Sequence, residues 1–276
     1  LTLINECQKL KITIHPPDVN ESDINFKALD EKTISFGLNA IKNVGSKALK
    51  NILSEKNKQK QFTTLYDFCE HLDLRLVNKK VLESLVAAGA MDSLEGNRAQ
   101  QYVAVESALK FAQQMQANAD DNQFSIFGGE TSESQIIAKP TLPDVSDWSE
   151  TEKLKREKEL MGFYLTGHPL LEYSDILENY SNYDFSDASD EIEIEQIRVG
   201  GIIRDIRHHF DKKNRQMAFF NLECLGGSVD VLVFHETFTN YRQLISDDGL
   251  IFVKGRQTSR LSDDTPKMIA ESIESL

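Results

Sequence analysis

At 276 residues, with 40% hydrophobic and 27% charged side chains, the chain is long enough for two domains that each bury a core. No apolar run approaches the ~20 residues of a membrane span and no signal peptide opens the chain, which argues against membrane and secreted classes and for the cytoplasm. A net charge of −13 argues against a nucleic-acid partner only if it is uniform, and it is not: residues 101–195 hold 6 Lys/Arg against 20 Asp/Glu, whereas residues 41–80 hold 9 against 4.

The chain begins LTLINECQKL, without an initiator Met and in a helical pattern, as expected of a piece of a longer protein. Leu38–Leu53, LNAIKNVGSKALKNIL, then predicts a helix, a four-residue hairpin and a second helix with a bare N-terminus. The backbone N–H groups of Val44, Gly45 and Ser46 are expected to lack partners and to sit at the positive end of the second helix dipole, a ready phosphate site. Gly45 admits a phosphate close to the backbone, and Asn43 suits a positive φ. Lys42, Lys47 and Lys50 surround the turn. This is the pattern of a helix-hairpin-helix motif, which grips nucleic acid without reading bases. An ordinary αα-hairpin with a solvated basic face is the alternative.

Next, FTTLYDFCEHLD places Phe62, Leu65, Phe68 and Leu72 at helical spacing behind a Thr63 or Thr64 cap. Val77–Leu94 forms a second helix-turn unit, with Asn78 as N-cap, an apolar stripe of Val81, Leu82, Leu85 and Val86, and a stop at Ala88-Gly89-Ala90. Lys79 and Lys80 mark its exposed side, although the turn itself is apolar and reads as structural. A helix over Arg98–Met115 follows, and residues 116–148 then lose all period and read as a linker. One apolar island stands in it: Gln123, Phe124, Ser125, Ile126 and Phe127. It either docks in a partner's pocket or folds back on the neighbouring helices.

From about Glu195 the period changes to two. Ile197–His209, Arg215–Leu225, Val229–His235, Gly249–Gln257 and Lys267–Ile273 read as five strands, with a helix near Phe238–Leu244, which is the arrangement of an OB-fold barrel. The first hairpin loop sets Lys212, Lys213 and Arg215 beside Phe210, the mixture of cations and aromatics that a single-strand groove uses. A merely solvated hairpin is the alternative. The predicted fold class is multidomain α+β, a tandem helix-hairpin-helix domain followed by a five-stranded barrel. Cys7, Cys69 and Cys224 have no metal-ligand spacing, so a zinc site is not expected.

These pieces in this order resemble the α subunit of bacterial DNA polymerase III, the C-family replicative polymerase. FGLNAIKNVGSKAL, DFCEHLDLRLVNKKVLESLVAAGAMDSL, EKLKREKELMGFYLTGHPL and VGGIIRDIRHHFDKKNRQMAFFNLECLGGSVDVLVF carry the resemblance. It implies the end of a fingers domain at 1–29, tandem hairpins at 30–116, a clamp-binding linker at 117–148, a helical connector at 149–194 and an OB-fold at 195–276. It further implies duplex DNA at the hairpins, single-stranded template at the OB-fold, and a sliding clamp at Gln123–Phe127, with other replicase subunits as partners and no membrane. DNA-directed polymerase activity would belong to the parent, whose palm would hold Mg²⁺, and this stretch would carry no cofactor, metal ligand or catalytic residue. Two departures from the family pattern are Asn43, where Gly is usual, and Asp211 in the basic hairpin. A free-standing RNA, tRNA or repair module with the same two folds is the rival reading. NAD-dependent ligases also combine them but need four zinc-binding cysteines.

Overall fold

The computed structural model describes residues 7, 10–59, 61–124, 138–183, 196–225, 227–258 and 267–276, with backbone only for 119–124. It divides into two compact units, Leu1–Gly167 and His168–Leu276. The boundary falls inside the expected 149–194 connector, whose long helix belongs to the first unit.

The first unit opens with a small sheet, β1 (Thr13–His15), β2 (Lys27–Ala28) and β3 (Thr33–Ser35), ordered β1-β3-β2. The helices α1 (Ser46–Gln59), α2 (Leu65–His71), α3 (Lys79–Ala87), α4 (Arg98–Phe124) and α5 (Glu150–Met161) follow. Local chemistry explains their starts. Thr64 caps α2, Asn78 caps α3 and Ser149 caps α5, each accepting from a backbone N–H three residues on. Asn97 and Gln100 close α4 reciprocally as a capping box, at 2.8 and 3.0 Å. The end of α3 is a Schellman turn: Gly89 adopts φ 78°, its N–H donates to the Val86 carbonyl, and the Ala90 N–H reaches Leu85. Phe62, Leu65, Phe68, Leu72, Val81, Leu82, Leu85 and Val86, the residues the periodicity selects, are all buried in one core.

Two helical expectations are corrected. The helix before the first hairpin is only a three-residue 3₁₀ turn, Leu38–Ala40, because the N–H of Lys42 goes to the Leu160 carbonyl (2.9 Å) instead of extending a helix. In the other direction, α4 continues through Phe124, beyond Met115, so residues 116–124 are helix and not linker. Its Ala- and Gln-rich sequence has helix propensity without an apolar stripe, so a nucleated helix propagates where no amphipathic period marks it.

In the second unit, after α6 (Ser174–Tyr180), the strands β4 (Ile197–Phe210), β5 (Gln216–Glu223), β6 (Ser228–Val233), β7 (Leu250–Gln257) and β8 (Lys267–Ser275) close into a barrel ordered β4-β5-β6-β8-β7. The helix α7 (His235–Tyr241) lies between β6 and β7. The five strands, their closure and the helix after the third make an OB-fold. β4 pairs with β7 over its first half and with β5 over its second, with a bulge between Arg204 and Arg207 and a positive φ at Asp205. Inward residues such as Ile203, Phe220, Val231 and Val253 fill the barrel. No helix among the described residues is long and apolar enough to cross a membrane.

Candidate nucleic-acid interface

The first hairpin puts an uncapped helix end in the open. Ile41–Val44 forms a β-turn in which Asn43 takes φ 70°, the positive value a type II turn needs at its third residue. This closes a hydrogen bond from the Val44 N–H to the Ile41 carbonyl at 3.3 Å, so Val44, expected to offer a free N–H, does not. Its side chain is buried in the core and anchors the turn. The first N–H of α1 to find a carbonyl is that of Leu49, bonded to Gly45. Among the described residues nothing accepts from the N–H groups of Gly45, Ser46, Lys47 or Ala48.

Those four donors share the positive end of a 14-residue helix with no acidic residue in its first turn. Gly45 precedes the helix where Thr64, Asn78, Asn97 and Ser149 cap the other helices of the first unit, so no capping side chain competes for the donors. Open space lies where its Cβ would be. Lys42, Lys47 and Lys50 are exposed around it, while Ala48, Leu49 and Ile52 face the core. Asn43, the departure from the family pattern, turns its amide toward buried Ser84 on α3 (3.1 Å), fixing the turn against the second hairpin.

The second hairpin is closed by comparison. Its following helix, α4, has its N-terminus taken by the Asn97–Gln100 box. Lys79 stands near Glu83 and Glu106, at 3.9 and 3.5 Å, which spends its charge locally, whereas Lys80 is exposed.

On the barrel, a groove of about 910 Å³ runs over the outer face of β4, β5 and β6. Phe210, Phe219 and Phe234 line it and are 65%, 36% and 46% exposed, a large fraction for rings of this size. Of the adjacent pair in β5, Phe220 is the one that enters the core. The ring of His209 meets Phe219 edge-on at 5.2 Å. The hairpin tip is arranged differently from the expectation. Asp211 accepts from the backbone N–H groups of Lys213 and Arg215 and from the Arg215 guanidinium, all at 2.8–2.9 Å. These bonds, the Arg215 backbone first, hold the Asp211 carboxyl below its ordinary value. Arg215 is therefore tied to the loop, and neither it nor Lys212 or Lys213 lines the groove. The cations that do are Arg207 and Lys267. Sequence reasoning missed both, along with Phe234, Asn221 and Asp230.

Gln123 and Phe124 are the last residues of α4, with side chains outside the described residues, where Ser125, Ile126 and Phe127 also lie. No group of three or more His, Cys, Asp or Glu that could hold a metal occurs among the described residues.

Comparison with known proteins matches residues 11–101 to a family model described as a helix-hairpin-helix motif. DNA polymerase III subunit alpha of Vibrio cholerae serotype O1 is 31% identical over 254 residues, covering 92% of this chain and 22% of that protein. The chain belongs to the DNA polymerase III alpha-subunit family. The same subunit from Pseudomonas aeruginosa is 32% identical over 274 residues, covering 92% of this chain and 23% of its own. The chain thus spans between a fifth and a quarter of the length of the alpha subunits it matches. Among solved structures, the mitochondrial single-stranded DNA binding protein Rim1 of S. cerevisiae is similar over 29% of this chain and 92% of its own, at 15% identity and a TM-score of 0.25.

Proposed function

We propose that this chain is the DNA-holding part of a bacterial replicative polymerase, with duplex gripped at the first hairpin and single-stranded template laid in the barrel groove. The observation that carries the reading is the row of unpartnered N–H groups from Gly45 to Ala48, ringed by Lys42, Lys47 and Lys50 in open space. Backbone donors and lysines offer nothing that distinguishes one base pair from another, so the grip is sequence-independent. Exposed aromatics beside Arg207 supply stacking and phosphate contact for unpaired bases. Nucleotidyl transfer and its Mg²⁺ belong, in this reading, to segments of the family that this chain does not span. The residues here hold DNA and do not react with it.

Replacing Lys47 and Lys50 with Ala is expected to weaken duplex binding and to flatten the dependence of log affinity on log salt by ~0.9 for each phosphate that is no longer neutralised. Unchanged affinity and slope in the double variant, measured by fluorescence anisotropy at several salt concentrations, would remove α1 from the interface. Equal affinity of the wild type for tRNA and duplex DNA would favour the RNA-binding rival.

Gln123–Phe127 is proposed to dock on the sliding clamp as a short peptide, Gln123 entering a polar pocket and Ile126 and Phe127 an apolar one. Few anchors and a loss of chain freedom set a weak affinity, on the order of micromolar. Tethering to DNA-bound neighbours strengthens it through effective concentration. In calorimetric titration against the clamp, Gln123→Ala with Phe127→Ala is expected to abolish the heat of binding while DNA affinity is unchanged. Wild-type affinity in that variant would place the clamp site elsewhere.

A further inference from the structure

We propose that the barrel groove reads a base as well as stacking it: the Asn221–Asp230 pair accepts a hydrogen bond from the exocyclic amino group of a base seated on Phe219, so amino-bearing bases bind ahead of thymine. This rests on the single-strand reading of the groove.

Strand register sets the geometry. Phe219 of β5 is paired with Arg207 on one side and Leu232 on the other, and the parallel row two residues along β5 holds Asn221 opposite Asp230, with Lys267 beyond. Alternation along the strand points Phe219 and Asn221 to the same face, about 7 Å apart. Arg207, Phe219, Asn221 and Asp230 offer the charge, ring and polar edges that a nucleotide can use, and all four line the groove. A nucleotide whose phosphate meets Arg207 extends its base across the Phe219 ring toward β6, where Asp230 stands.

The acceptor set decides which base fits. The Asn221 side-chain amide donates to Asp230 Oδ1 at 3.1 Å, which orients both groups and leaves the second carboxylate oxygen and the Asn221 carbonyl to accept from a base. An ionised carboxylate has no proton to give. Cytosine N4, adenine N6 and guanine N1 and N2 donate to it, whereas thymine presents two carbonyl oxygens flanking a single N–H and meets oxygen with oxygen. A carboxylate on a polyanion-binding face also repels phosphate, so Asp230 weakens every complex and compensates only those whose base donates to it.

The test uses the full chain and fluorescently labelled oligodeoxycytidylate and oligothymidylate of equal length, two pyrimidine strands that differ at the base edge. Wild-type protein is expected to bind the cytosine strand about tenfold more tightly. Asp230→Asn removes the charge and supplies a donor for thymine, so affinity for both strands should rise while their ratio falls to about one. A purely electrostatic role for Asp230 predicts the same rise with the ratio unchanged, and that result overturns the proposal, as does equal binding by the wild type. Phe219→Ala separates the two levels of the reading. Weakening of both strands is expected. Affinities for both strands that are unmoved by Phe219→Ala and Asp230→Asn alike would overturn the groove as the single-strand site and this proposal with it.

Discussion

Replacing Glu157 with alanine is expected to destabilise the first unit by about 3–5 kcal/mol, because it leaves a buried guanidinium without half of its partners. Glu157 lies on α5 at 0% exposure, and its Oε1 accepts from Arg98 Nη1 at 2.8 Å while Thr166 donates to the carboxylate from both backbone N–H and hydroxyl. Arg98, the first residue of α4, turns its other edge to Asp92 at 2.6–3.1 Å. Burial alone pushes the Arg98 guanidinium down, and the two carboxylates override it and hold it above its ordinary value. The pair also depends on Gly89, where a Cβ would come within 2.3 Å of Arg98 Nη2. Together these bonds fasten α5 to the turn of the second hairpin. Trp148, the single tryptophan, lies 4.0 Å from the guanidinium of Arg156 on α5, so its fluorescence reports the change. A midpoint lower by ~6 °C or more is expected, with Glu157→Gln intermediate because it keeps the shape and removes the charge. A cost below about 1 kcal/mol would show that water replaces the carboxylate fully.

Gly255→Ala should damage the barrel comparably. At the bulge between Lys254 and Gly255 the strands β7 and β8 approach so closely that an added Cβ would lie 2.0 Å from the Ile269 carbonyl oxygen. Backbone cannot rotate aside as a side chain can. The cost is expected at or above the top of the ~1–3 kcal/mol usual for overpacking, with loss of single-strand binding. Thermal unfolding followed by circular dichroism checks it, and a wild-type melting curve would mean that β8 shifts register freely.

Elements whose signal is local were legible in the sequence. The five barrel strands fall within two residues of their predicted ends: inward and outward residues alternate strictly along β6, and the buried runs in β4 and β7 are short and apolar enough to read as strand. Thr64, Asn78 and Gly89 act as the caps and stop that their chemistry suggests. Features that depend on distant partners were not legible. The strands β1, β2 and β3 have two or three residues each and carry no period. The helix expected before the first hairpin yields to a hydrogen bond from Lys42 to Leu160, and the partner of Arg98 lies 59 residues away. At the groove, adjacency of Phe219 and Phe220 shows that one ring faces out, but only strand pairing brings Arg207, Asp230 and Lys267 beside it. The basic hairpin drew notice for its charge, whereas Asp211 draws Arg215 back into the loop.

Backbone amide shifts measured by NMR on adding duplex and then single-stranded DNA test the account most directly. Duplex is expected to move the resonances of Gly45, Ser46, Lys47 and Ala48 most strongly, and single strand those of Arg207, Phe219 and Asp230. Duplex-induced shifts that leave Gly45–Ala48 untouched would contradict it.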